Sequence, residues 1–172
     1  MSSHDFFENV IEYQADGIKF WNKYGKHHPF LLDNYPFNKT KDGVTYHRNF
    51  AKLKLPISLA SYISFVELLD IPTIGKTSDK IFFELLNPIH LAWIDKIFVR
   101  SSKCAVFLSD SVIRKMRKCE GYFKWLPAEV NSKGFIKKVG NTSFYKYSHF
   151  SAYQIHSEIE EIRQVVVDTC SQ

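Results

Sequence analysis

The stretch GFIKKVGNTSFYKYSH, residues 134–149, reads as two strands around a turn. Gly140-Asn141 supplies the turn, and β-branched and aromatic residues populate 134–139 and 142–149 on either side of it. Upstream, Tyr122, Phe123 and Trp125 mark a further strand at 122–126, separated from the hairpin by turn residues at 131–134. This predicts a three-stranded meander. Working outward, the apolar run at 104–108 suits a buried strand, and partial alternation at 44–55 predicts another.

Helical signals fill the intervals. Phe6, Val10, Tyr13, Phe20, Trp21 and Tyr24 recur at helical spacing over 5–24, with Gly25 placed to end the element. Pro56 is suited to the first turn of a helix because its missing N–H would be unpaired there, and the nearly all-apolar 57–69 predicts a buried helix behind it. Ser78 caps a helix that Asn87-Pro88 should end or kink before 89–99 resumes, and Ser109 or Asp110 caps one running to Lys118. A terminal amphipathic helix follows at 152–168. Without a regular βαβ alternation, the order predicts an α+β fold over 1–172, a single domain with an antiparallel sheet packed against several helices.

Composition narrows the function classes. At 172 residues, 45% apolar and 24% charged, the chain has enough apolar surface for a core, which excludes wholesale disorder. The longest uncharged stretch, 55–66, contains Pro56 and falls short of the roughly 20 apolar residues a spanning helix needs, so no membrane association is expected. The first residues lack a basic and apolar leader pattern. Cys104, Cys119 and Cys170 are odd in number and widely spaced. Both features fit a cytoplasmic protein with reduced thiols.

Charge is unevenly spread. Between Lys96 and Ser148 twelve bases face three acids, a net +9, while the remaining residues carry −4. Such a stripe attracts polyanions, and the aromatics threaded through it offer platforms on which unpaired bases stack. The leading expectation is therefore a nucleic-acid-binding protein for DNA or RNA. Arg100, Lys103, Arg114, Lys115, Arg117, Lys118, Lys124, Lys137 and Lys138 would meet phosphates, and Tyr122, Trp125 and Tyr145 would meet bases. The competing explanation is plainer: alternating lysines and aromatics also describe any half-buried strand, and a basic helix face is often only its wet side.

Two other classes remain open. A small transferase or hydrolase acting on an anionic metabolite, or on an acyl or phosphoryl donor, would use the same bases as a clamp, with His149 or His47 as acid–base group. A thiolate would need Cys104 or Cys119 paired with His149. An interaction module would meet a protein partner through its end helices or the aromatic 26–43 loop. No cofactor motif is intact: Asp70-Ile-Pro-Thr-Ile-Gly75-Lys76-Thr77 ends like a P-loop, but Asp70 replaces the required glycine and Pro72 removes a donor, which favours a helix connector. The histidines include the adjacent pair His27-His28, but no His-x-x-x-His or Cys-x-x-Cys pair marks a metal site. The Asp and Glu-x-Lys pattern of a metal-dependent nuclease is also missing from the meander.

Overall fold

A computed structural model describes residues 3–38, 42–71, 77–99 and 102–171. In chain order the elements are α1 (Ser3–Ala15), α2 (Gly17–Tyr24), α3 (Asp42–Ala51), α4 (Asp79–Glu84), α5 (Pro88–Phe98), β1 (Cys104–Leu108), α6 (Asp110–Lys118), β2 (Gly134–Val139), β3 (Thr142–Lys146) and α7 (Ile159–Cys170). Short 3₁₀ turns lie at Pro29–Leu31, Ile57–Tyr62 and Tyr153–Ser157. The fold is α+β. No described helix is long and apolar enough to cross a membrane. The chain gathers into two compact units, one made of 1–64 with 148–172 and the other of 65–147.

In the first unit, the expected 5–24 helix is two helices. Asp16 takes an extended conformation and its carboxylate accepts from the Lys19 N–H at 2.9 Å, so it caps a new helix. Gly25, at φ +63°, closes α2 by donating its N–H to the Trp21 carbonyl. The two helices remain tied: Lys23 Nζ lies 3.0 Å from Glu12, and the Tyr24 hydroxyl donates to the same carboxylate at 2.9 Å. These contacts hold the Glu12 carboxyl below its usual pKa, with the Lys23 hydrogen bond the largest cause.

The strand expected at 44–55 is instead α3 and the turn behind it. Val44, Phe50 and Leu53 are buried and His47 half-buried, a three-residue spacing that lines one helical face. The alternation is incidental, since both of its halves mix polar and apolar residues. The buried helix expected at 57–69 is also absent. Pro56 opens only the 3₁₀ turn Ile57–Tyr62, in which Ala60 alone is buried. Residues 63–69 form no regular element, and Phe65 and Val66 within them are exposed. The terminal helix starts later than expected, after the 3₁₀ turn, and buries Ile162.

The second unit carries the sheet. Its order is β1-β3-β2, with β2 and β3 antiparallel and β1 parallel to β3. The sheet is therefore mixed rather than antiparallel. The reason is the connection from β1, which runs through α6 and β2 before the chain returns beside β1, so strands distant in sequence pair in parallel. The 134–149 hairpin forms as expected around Gly140, at φ +57°, although β3 ends at Lys146. Residues 122–126 are not a strand: Gly121 (φ +88°) and Phe123 (φ +52°) adopt left-handed conformations that curl the chain into turns.

The core of this unit joins Val106, Leu108 and Phe144 from the sheet to Leu91, Ile94, Ile113 and Met116 from the helices, with Cys119 and Phe123. Capping follows the sequence signals at Ser78 and Asn87, whereas Ser109 stands at the start of α6 with no side-chain capping hydrogen bond. Ser78 accepts from the Ile81 N–H, and Asn87 accepts from the Ile89 N–H at 3.0 Å just ahead of Pro88.

Candidate nucleic-acid interface

Strand alternation divides the sheet's side chains between two faces. Val106, Leu108, Thr142, Phe144 and Lys146 are buried, the first, second and fourth of them in the core under the helices. The opposite face carries Phe107, Tyr145 and Phe135, which the pairing register places side by side on three neighbouring strands. Phe107 stacks beside Tyr145 at 5.6 Å between centroids with 26° between planes, and Phe135 meets Tyr145 edge-on at 5.7 Å. Tyr147, itself buried, extends the strip at 6.4 Å from Tyr145 with planes 13° apart. Phe107 and Tyr145 are half-buried, and Phe135 is 57% exposed. The strip thus ends on one ring, Phe135, that is open to water beside Tyr145.

Lysines frame this strip. Lys138 pairs in register with Ser143, on the face of Tyr145, and is exposed. Exposed Lys103 immediately precedes β1 at the same end of the sheet, because Cys104 and Val139 both pair with Thr142. Exposed Lys133 precedes Gly134 at the other end. A β-bulge between Phe135 and Lys137 brings half-buried Lys137 opposite Phe144. Arg100 lies outside the described residues.

The other expected contacts sit elsewhere. α6 turns Ile113 and Met116 into the core, so its bases belong to the helical layer and not to the aromatic face. There Lys115 Nζ rests 3.5 Å from the centre of the Phe82 ring, Arg117 donates to the Pro127 carbonyl, and Lys118 pairs with Asp79 at 3.2 Å. Arg114 and Lys124 are exposed. Trp125 stacks on Phe144 at 3.9 Å and gives its indole N–H to Asp95 at 2.8 Å, which makes it part of the core wall. Tyr122 packs against the same core. Of the three aromatics expected to meet bases, only Tyr145 lies on the strip. Phe107 is hidden in sequence because every residue of 104–108 is apolar, and only the register reveals its face.

The acid–base candidates are packed differently. His47 stacks on His28 at 3.6 Å, and its Nδ1 lies 3.1 Å from His27 Nε2. Burial lowers the pKa of His27 and of His28 to about 3, and that of His47 to about 4, so all three are neutral at pH 7. His149 is exposed, with its Nδ1 2.6 Å from Ser151 Oγ. Cys119 is buried in its own unit's core and its Sγ reaches the Lys115 carbonyl at 3.3 Å. Burial raises that thiol's pKa, the reverse of what a nucleophile needs. Among the described residues no group of three or more His, Cys, Asp or Glu is arranged to hold a metal ion. The Gly-Lys pair of the P-loop-like segment lies outside the described residues. On the terminal segment Tyr153 is 85% exposed, while Ile155 and Ile162 are buried. No family model, curated protein or solved structure matches this chain.

Proposed function

We propose that residues 102–147 carry a binding surface for single-stranded nucleic acid, with Phe135, Tyr145 and Phe107 stacking on bases and Lys103, Lys133 and Lys138 meeting the backbone. The observation that carries this reading is the row of aromatics across three strands with Phe135 open to water. Rings spaced across neighbouring strands suit successive unpaired bases, which a duplex would keep stacked inside. The α6 bases then act through their field, raising the local concentration of polyanion without touching it.

The test is fluorescence anisotropy with labelled oligo-dT, oligo-U and a duplex of equal length. Single strands should bind more tightly than the duplex. Phe135→Ala should weaken them by about 1–3 kcal/mol while leaving the salt slope unchanged. Replacing Lys103 and Lys138 with Gln should flatten the slope of log affinity against log salt by about 0.7 for each phosphate no longer neutralised. Absence of binding at low salt, or unchanged affinity in Phe135→Ala, rejects the proposal.

A further inference from the structure

A second feature, independent of the nucleic-acid reading, lies in the other unit. Behind the Gly25 turn is a half-open hollow of about 210 Å³. Trp21, Phe50 and Leu31 form apolar walls, His27 contributes one imidazole, and Lys26 and Lys54 also line it. Phe50 and His27 are buried, with their rings 4.7 Å apart, and the Trp21 ring lies 5.5 Å from that of His27. Both lysines are exposed. Lys54 is held at φ +48°, in the left-handed region that ordinarily selects glycine.

We propose that this hollow binds a small planar aromatic ring bearing one anionic group, a carboxylate or a phosphate. The volume bounds the size class: a cavity of about 150 Å³ has room for benzene, so this hollow has room for a single ring with a short anionic substituent and not for a dinucleotide. The chemistry decides the rest. Trp21 and Phe50 offer a flat ring an aromatic wall, and Lys26 and Lys54, two exposed cations in the lining, favour an anion on it. The carbonyl of Ala51 accepts the Lys54 N–H at 3.1 Å, so the turn that imposes the left-handed conformation also fixes where this cation's backbone stands.

The experiment is an NMR titration of the intact chain, following the Trp21 indole N–H and the Gly25 and Lys54 amides, with benzoate, phenyl phosphate, benzamide and acetate as probes. Benzoate or phenyl phosphate should bind in the range of about 0.1–1 mM, moving the Trp21 indole signal, and the tighter of the two identifies the anionic group. Benzamide lacks the charge and acetate lacks the ring, so each should bind at least about tenfold more weakly. Lys26→Gln and Lys54→Gly should each weaken the aromatic anion about fivefold or more. Lys54→Gly also relieves the backbone at φ +48°, so its loss of binding cannot be assigned to misfolding. Benzamide binding as tightly as benzoate, unchanged affinity in both lysine variants, or a silent Trp21 signal overturns the proposal.

Discussion

Phe20 and Phe65 both stand among apolar neighbours in sequence, yet Phe20 is fully buried and Phe65 is 40% exposed. Urea denaturation should separate them: Phe20→Ala should cost about 3–5 kcal/mol, and Phe65→Ala about 1 kcal/mol or less. The mostly apolar composition around Phe65 suggests burial, but composition alone does not show which side of a segment is dry. Trp125 departs from expectation in the opposite direction. Its indole has the makings of a platform but donates to Asp95 against the core, so Trp125→Phe should cost about 1–3 kcal/mol by leaving that carboxylate without its donor. Lys146, one of the twelve bases of the stripe, is buried against the Val130 carbonyl at 2.9 Å and Asp110 at 3.1 Å. A residue's type was legible, but its direction depended on strand parity and pairing.

At the scale of elements, what carried its own local signal was legible. Ser78, Asn87-Pro88 and Gly140-Asn141 set ends and turns by short-range hydrogen bonds or backbone preference, and the elements beside them formed where expected. Strand order was not legible, because the parallel pairing of β1 with β3 depends on a contact between distant segments. The histidine cluster, built from the turn at Pro29–Leu31 and α3, shows the same dependence and gives a pH prediction. In the unfolded chain His27, His28 and His47 titrate near 6.5; in the fold they do so at about 3, 3 and 4. Between those values the unfolded state holds more protons, so their contribution is complete above pH 6.5 and is lost as pH falls toward 3–4. Each histidine can remove up to about 1.4 kcal/mol per pH unit in that window. Thermal melting should therefore drop between pH 6.5 and about 5, and His28→Phe should flatten that drop. A melting temperature constant over that interval would contradict the burial of the cluster.

At the scale of the whole molecule, Cys104, Cys119 and Cys170 are all thiols outside any disulfide, and Ellman titration in denaturant without reductant should return three of them. The first unit is discontinuous, and its two segments are joined at identifiable points. Asn49 Nδ2 donates to the Phe150 carbonyl at 2.6 Å, and Phe50 meets the Phe150 ring at 5.5 Å. Asn49→Ala should cost about 1–3 kcal/mol, and hydrogen exchange should show the loss first in the amides of α3. That discontinuity sets a timetable for biogenesis. Residues 65–147 are all synthesised before 148–172, so the inner unit has its full complement of residues while the outer one still waits. At roughly 5–20 residues per second the wait lasts several seconds on the ribosome. During that interval Asn49 and Phe50 of the nascent 1–64 segment lack Phe150, so the outer unit is the last to complete its packing.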